Sequence, residues 1–166
     1  MPVESATKGT GPLTLSEYTR HQLIVPRLEH KDAAGIISEL SHVLHEGGDV
    51  PDVLPFYHAA LNQELLANSG LECGIAFPHA RLSGIRNLQF AFGRAAEPAA
   101  WCASGSWPVE FVFLLAVPAT DAARYLHLLA SLARLGQRPD YLQELRAASR
   151  VEDILQVLGK VTIRQS

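Results

Sequence analysis

The segment that most constrains the fold is residues 109–117, which reads VEFVFLLAV and is apolar at every position except Glu110. A strand with one face in solvent alternates apolar and polar residues, whereas a strand covered on both faces is apolar nearly throughout. The segment is therefore predicted to be a central strand with layers packed on both sides. A neighbouring strand is predicted around Leu88, Phe90 and Phe92, which alternate with Gln, Ala and Gly.

Apolar residues at helical spacing surround these strands. One helix is predicted after Asp32, which is suited to be its N-cap, and a second after Asp52. The broad apolar side of the second helix is predicted to contain Val53, Leu54, Phe56, Tyr57, Ala60, Leu61, Leu65 and Leu66. Three later helices are predicted at residues 121–135, 139–147 and 151–158. Helices before, between and after apolar strands favour an α/β fold, a layered sandwich with a central mixed β-sheet flanked by helices.

The length of 166 residues and a hydrophobic content of 48% fit one domain with one compact core. Residues 1–12 are rich in Gly, Ser, Thr and Pro and are expected to form a flexible N-terminal tail. The folded domain is expected to span residues 13–160. Residues 161–166 are expected to form a C-terminal tail.

Charge and hydropathy exclude several function classes. The net charge of −3 lacks the basic excess that phosphate backbones attract, which argues against nucleic acid as a direct partner. No apolar run approaches the roughly 20 residues of a membrane span, and the start of the chain lacks the pattern of a signal peptide. A cytoplasmic protein without membrane insertion is expected. Its two cysteines are too few for a disulfide framework, so both are expected to be reduced.

A single histidine is presented by the glycine-punctuated segment 70–81, GLECGIAFPHAR. Gly70 and Gly74 permit backbone conformations that a Cβ would forbid, and Pro78 removes a hydrogen-bond donor immediately before His79. The short strand within this segment is therefore predicted to end at or near His79. A side chain at the end of a supported strand is able to meet solvent or a partner, so His79 is the leading reactive residue.

The hexapeptide 74–79, GIAFPH, resembles the phosphorylation motif G-[IV]-A-[IL]-P-H of enzyme IIA domains. These domains belong to the bacterial phosphoenolpyruvate-dependent sugar phosphotransferase system, here in its fructose, mannitol and nitrogen-regulatory class. The similarity extends over roughly residues 13–158, with Glu64 and Gly70 upstream, the strand at 109–118 and the helix that follows it. The order of these elements makes the resemblance more specific than the short motif alone.

The resemblance implies that His79 accepts a phosphoryl group from phosphohistidine on an HPr-like carrier protein or its nitrogen-branch counterpart. A histidine with the ordinary pKa of about 6.5 is substantially neutral near physiological pH and has a nitrogen lone pair for the attack. Transfer then depends on in-line positioning and on stabilising the phosphoryl oxygens, with no metal or other cofactor. The expected function is a stand-alone enzyme IIA-like phosphotransferase or phosphocarrier with a nitrogen-regulatory or other regulatory role, and regulatory target proteins are further candidate partners.

Tyr125 and His127 are the candidate assistants. Nitrogen-regulatory IIA domains often contain a His-Leu-His pattern, and this chain keeps its last two positions, with Tyr125 in the first. The family's first histidine is the one expected beside the phosphorylated histidine. A tyrosine there is able to donate a hydrogen bond to a phosphoryl oxygen but cannot become an imidazolium. His127 is either a direct assistant or a solvent-facing residue.

Three further residues are candidates for binding: Glu64, Gly74 and Arg81. Arg81 follows His79 by two positions and offers positive charge to a phosphoryl group, with a solvated surface arginine as the alternative. Two departures from the family pattern surround them. Glu72 stands where a glycine is usual and adds negative charge, and Gln63 stands where an arginine usually precedes Glu64.

Two function classes stay open on the sequence. The first is a phosphocarrier or phosphotransferase acting through His79, and the second is a regulatory protein-binding module that keeps the fold without phosphorylation. Trp101 and Trp107 are expected to be buried, with a partner-binding surface as the alternative.

Other reactive combinations have less support. His42 and His45 lie three positions apart on a predicted helix, but no third metal ligand accompanies them, so a solvated pair is favoured and no metal site is expected. Cys73 precedes His79 by six residues and raises the alternative of a Cys-His hydrolase. That alternative is disfavoured because the sequence contains no recognisable oxyanion-hole signature.

Overall fold

A computed structural model describes residues 12–102 and 107–164 of the chain. Nearly all of the expected N-terminal tail, residues 1–12, lies outside these ranges. The longest α-helices have 14 residues, and within the described ranges no helix is long and apolar enough to cross a bilayer. In chain order the elements are β1 (Ile24–Val25), α1 (Ala33–Glu46), α2 (Val53–Leu66), β2 (Ile75–Ala76), β3 (His79–Leu82), β4 (Gln89–Ala100), β5 (Pro108–Pro118), α3 (Ala122–Leu135), α4 (Pro139–Ala147) and α5 (Val151–Leu158), with two short 3-10 helices at Leu15–Tyr18 and His21–Leu23 before β1.

The sheet is mixed and is organised around β5, as the apolar run predicts. β4 pairs antiparallel with one side of β5, and β1 pairs parallel with β4 at the outer edge. β2 and then β3 pair parallel with the other side of β5. The three later helices begin and end within one residue of their predicted limits, and Asp32 caps α1 by accepting a hydrogen bond from the Gly35 N–H.

Side chains that alternate along β5 enter two separate apolar layers. Phe113 and Leu115 pack with the layer that includes α3, α4 and α5, whereas Val112 and Leu114 pack with the layer that includes α1 and α2. This arrangement confirms the predicted layered sandwich.

The predicted apolar side of α2 is broader than the side that the helix buries. Leu54, Leu65 and Leu66 have exposed fractions of 61%, 75% and 85%. The helix buries a row at four-residue spacing, in which Phe56 and Ala60 belong to the predicted side and Glu64 does not. Apolar residues lie all around this helix, so periodicity alone does not select the buried row, and packing against the sheet does.

The expected C-terminal tail begins too early. Val161 and Ile163 are buried, and they pair with the start of the domain. The Ile163 N–H donates to the Leu13 carbonyl at 2.8 Å, and the Leu15 N–H donates to the Val161 carbonyl at 3.0 Å. The folded part of the chain therefore extends at least to residue 163.

Candidate functional site

His79 begins a strand, whereas the sequence predicted that a strand ends there. β2 and β3 lie along the same side of β5 in one register, with Ile75 opposite Phe111 and His79 opposite Leu115. Pro78 has no N–H, and its carbonyl accepts a hydrogen bond from the Leu115 N–H at 2.9 Å. The interruption is short because β5 is long enough to pair again with the chain beyond the proline.

Gly74 sets the geometry at the beginning of this segment. Its φ of +96° is in the region that favours glycine. Its carbonyl accepts hydrogen bonds from the backbone N–H groups of Glu110 at 2.7 Å and Phe111 at 3.1 Å. Gly74 therefore holds the turn at residues 71–74 against the start of β5. It is not one of the residues that surround His79.

A hollow of about 300 Å³ lies at the edge of the sheet where β3 meets two helices. It is lined by Ala59 and Gln63 of α2, by His79, Ala80 and Arg81 of β3, and by Tyr125 of α3. Arg81 is the charged residue of this lining, and its guanidinium forms no hydrogen bond or ion pair with the described part of the chain. The hollow is thus supplied with a positive group that is available to an anion.

Tyr125 lies beside His79, as the resemblance implied. Its hydroxyl is 3.0 Å from Nε2 of His79, and the two ring centres are 5.2 Å apart. Tyr125 is in the first turn of α3, which follows β5 directly. The connection from β5 to α3 therefore returns the chain to the edge at which His79 is presented.

Burial keeps both rings of this pair neutral. It lowers the pKa of His79 below 6.5, although the Phe77 backbone and the Glu64 carboxylate act in the opposite direction. Burial also raises the pKa of Tyr125 above 10.0, with the charge of Arg81 opposing it. Nδ1 of His79 is buried and makes no hydrogen bond to any described residue. Of the two ring nitrogens, Nε2 is the one with a defined polar partner.

His127 does not line the hollow. Two positions on an α-helix differ by about 200° in direction, so His127 points to nearly the opposite side of α3 from Tyr125. It is half-buried, and its backbone carbonyl accepts a hydrogen bond from the Ser131 hydroxyl. A direct role for His127 remains a prediction from the resemblance.

Cys73 is separated from His79. A Cβ added to Gly136 would lie 2.7 Å from Sγ of Cys73, so the thiol lies at the C-terminal end of α3. Tyr125, the neighbour of His79, is 11 residues earlier on that helix, about 16 Å along its axis. The two side chains are not arranged as a nucleophile and its base.

The histidines of α1 have backbone partners. Nδ1 of His42 is 2.9 Å from the Ser38 carbonyl, and Nδ1 of His45 is 2.9 Å from the Val50 carbonyl. Within residues 12–102 and 107–164, no group of three or more His, Cys, Asp or Glu side chains is placed to hold a metal ion.

Glu64 is buried and does not line the hollow. Its exposed fraction is 7%, and its carboxylate accepts hydrogen bonds from the Ser69 N–H, the Ser69 hydroxyl and Nε1 of Trp101. Sequence reasoning missed Ser69, and it gave Trp101 no part in the site although its burial was expected. Trp107, also expected to be buried, is 48% exposed.

Comparison with known proteins gives a consistent result. The family described as phosphoenolpyruvate-dependent sugar phosphotransferase system, EIIA 2, matches residues 17–161. The nitrogen regulatory protein of Escherichia coli is 31% identical over 129 residues, which cover 77% of each chain. The fructose-specific EIIABC component of Bacillus subtilis is 28% identical over 150 residues, or 89% of this chain, which spans about a quarter (23%) of that longer relative.

A solved structure agrees with these sequence matches. The nitrogen regulatory protein IIA-Ntr from Neisseria meningitidis superimposes with a TM-score of 0.77 and 26% identity, covering 87% of this chain and 98% of that one. The chain belongs to the EIIA 2 family of the phosphoenolpyruvate-dependent sugar phosphotransferase system.

Proposed function

We propose that this protein accepts a phosphoryl group on Nε2 of His79 from an HPr-like or nitrogen-branch carrier protein and that it has a regulatory role in the cytoplasm. The observation that carries the proposal is the placement of Nε2. This atom lies 3.0 Å from the Tyr125 hydroxyl, in a hollow that also contains Arg81. Family membership supplies the reaction class, and the geometry supports the choice of atom.

The other ring nitrogen is unsuited to the attack. Nδ1 of His79 is buried, so an incoming phosphorus atom has no path to it. The proposed acceptor tautomer has its proton on Nδ1, because Nε2 must keep a lone pair for the attack. The lone pair of the neutral ring is then on Nε2, where the Tyr125 hydroxyl donates to it.

The transfer step requires no net proton movement. The Nε2 lone pair forms the new N–P bond while the N–P bond of the carrier's phosphohistidine breaks. The electron pair of the broken bond returns to the carrier's ring, which holds a proton on its other nitrogen and leaves as neutral imidazole. The acceptor ring keeps its Nδ1 proton. The Tyr125 hydroxyl turns from Nε2 to a phosphoryl oxygen, and Arg81 offsets the negative charge of the group.

Two features favour the alternative, a binding module without phosphorylation. The Tyr125 hydroxyl occupies the lone pair that must attack, and Gln63 lines the hollow where the family pattern has an arginine. Both features weaken an acceptor site relative to one with an imidazolium and a second guanidinium. The two functions therefore differ in whether a carrier displaces the tyrosine contact.

The decisive experiment is phosphorylation in a mixture of phosphoenolpyruvate, enzyme I and carrier protein. We expect one acid-labile phosphoryl group on the wild type and none on His79→Ala. His58→Ala is the matched control because His58 is an exposed histidine of α2, and it should be labelled fully. His127→Ala tests the implied assistant, which we expect to affect the rate rather than the presence of labelling.

Failure of several cognate carriers to label the folded wild type would reject the phosphocarrier function. Binding of the unphosphorylated protein to a regulatory target would then support the module. Labelling that persists in His79→Ala would instead reject His79 as the acceptor.

A further inference from the structure

We propose that Glu64 and Ser69 are positioning residues, which hold the backbone before His79 so that Nε2 faces the hollow. This inference rests on the proposed function. It differs from the sequence expectation that Glu64 contributes to binding, because Glu64 is buried and does not line the hollow.

The Glu64 carboxylate accepts hydrogen bonds from three protein donors. Its Oε2 accepts from the Ser69 N–H at 2.6 Å and from Nε1 of Trp101 at 2.7 Å, and its Oε1 accepts from the Ser69 hydroxyl at 2.8 Å. A buried carboxylate retains its charge only when such donors replace water. Glu64 is therefore a structural acceptor with little capacity left for a phosphoryl group or a carrier.

The direction of the next hydrogen bond follows from the first. The carboxylate of Glu64 has no proton to give, so the single hydroxyl proton of Ser69 points toward it. The Ser69 oxygen is then free to accept, and the Phe77 N–H donates to it at 3.0 Å. The result is a connected path from α2 through Ser69 to the residue two positions before His79.

This path holds the part of the segment that the sheet does not. β2 ends at Ala76 and β3 begins at His79, so Phe77 and Pro78 lie between the two paired stretches. The Phe77 N–H has Ser69 rather than the sheet as its partner, and Pro78 has no N–H to donate. Without the Ser69 hydroxyl, a partly buried donor would lose its protein partner immediately before His79.

Trp101 connects the path to a third element. It follows the end of β4, its indole is 3% exposed, and its N–H donates to the same carboxylate as Ser69. Hydrogen bonds to Glu64 therefore connect α2 with the loop that contains Ser69 and with Trp101 at the end of β4. Phosphoryl transfer requires in-line geometry, and a displacement of about 1 Å is able to cost as much as a hundredfold in rate.

Ser69→Ala is the sharpest test, with Ser69→Thr as the conservative rescue and Ser41→Ala as the matched control. Ser41 is a buried serine of α1 whose hydroxyl donates to the Ile37 carbonyl, remote in sequence from the segment. Single-turnover transfer from phosphorylated carrier would give a maximal rate constant and a half-saturating concentration for each protein. Hydrogen exchange at the Phe77 amide would report the path itself.

We expect Ser69→Ala to lower the maximal rate constant about tenfold with an unchanged half-saturating concentration, and to increase exchange at Phe77. Ser69→Thr should restore both values, and Ser41→Ala should resemble the wild type. Glu64→Gln should also slow transfer, because an amide NH₂ opposes one of the three donors, whereas Glu39→Gln on α1 should not. Glu39 is a suitable control since its carboxylate also accepts backbone and side-chain hydrogen bonds.

A wild-type maximal rate in Ser69→Ala would overturn the proposal while leaving the phosphocarrier function intact. A raised half-saturating concentration with an unchanged maximal rate would overturn it in favour of carrier binding. Absence of label on the wild type would reject the phosphocarrier function instead. The Phe77 exchange measurement would still decide the positioning path, because unchanged protection in Ser69→Ala is incompatible with it.

Discussion

The turn at residues 71–74 and the edge strand β3 pair with the same side of β5, but they have different roles. The turn is held by its backbone, with the Gly74 carbonyl accepting two hydrogen bonds from the start of β5. β3 presents side chains, since His79 and Arg81 both reach the hollow. About 16 Å of extended chain separates Gly74 from His79. The segment 74–79 therefore has a structural end at Gly74, which is held by backbone hydrogen bonds, and a chemical end at His79, which presents its side chain to the hollow.

The largest effect expected from this comparison is at the chemical end. His79→Ala should abolish phosphoryl labelling because it removes the accepting nitrogen, and the free energy of unfolding at neutral pH should change much less than the activity. Labelling and urea unfolding measure the two quantities. Loss of the fold in His79→Ala would break the comparison, because it would give β3 a structural role as well.

The next largest effect is expected at Tyr125. Tyr125→Phe removes the hydroxyl that lies 3.0 Å from Nε2 of His79 and should lower the transfer rate about tenfold, the equivalent of one hydrogen bond of roughly 1.4 kcal/mol. Rapid-quench transfer kinetics would measure it. A faster rate in Tyr125→Phe would show instead that the hydroxyl restrains the lone pair.

Gly74→Ala tests the structural end, and it should lower the stability of the protein without slowing phosphoryl transfer. A Cβ there meets no atom closer than 3.7 Å, so the cost comes from the positive φ and should be roughly 1–2 kcal/mol of stability. The rate of transfer to His79 should stay at the wild-type value under conditions in which the variant is folded. Urea unfolding and transfer assays on one preparation would check both, and a strongly reduced rate would assign Gly74 to the chemical end.

A smaller effect is expected in the pH dependence. The pKa of His79 is lowered in the folded protein, so the folded ring binds fewer protons than the unfolded one between that value and 6.5. Stability should therefore rise with pH through this window, and acidification through it should destabilise the wild type more than His79→Ala. Urea unfolding at several pH values would measure the difference, and equal pH profiles would contradict the lowered pKa.

The smallest effect is expected at Glu72, an exposed residue of the turn. Glu72→Gly removes an exposed negative charge that does not line the hollow, and it should alter the association rate with the carrier only about twofold at low salt. Transfer rates across a salt series would measure this effect. Identical rates and identical salt slopes would eliminate any part for this charge in partner choice.

Much of the fold follows from local pattern. The apolar run of β5 predicts a strand covered on both faces, and the apolar spacing after it predicts α3, α4 and α5. The buried side of α2 was harder to predict because the helix is apolar on every side. The elements that pack against it decide which row is buried. The pairing of Ile163 with Leu13 was also unpredictable, since the partners lie at opposite ends of the domain.

The candidate site also contains residues that the sequence indicates and residues that only the folded structure reveals. His79 was identifiable because a short motif contains both the histidine and the proline and glycine that shape its backbone. Ser69 had no comparable signal, because its importance depends on a hydrogen bond to Phe77 that only the folded loop creates. Glu64 was noticed for its position in the family pattern, but its burial and its three donors were not foreseeable from residue type.

The sequence by itself determined the order of helices and strands, the central place of β5 and the choice of His79 as the candidate acceptor, because periodicity and motif spacing are local properties. The family resemblance placed Tyr125 beside His79, but only the tertiary structure decided that its hydroxyl contacts Nε2 and that Trp101 reaches Glu64 across 37 residues. Such contacts depend on how separate elements dock on the sheet. Distance in space between remote segments is a property of packing, and no local pattern specifies it.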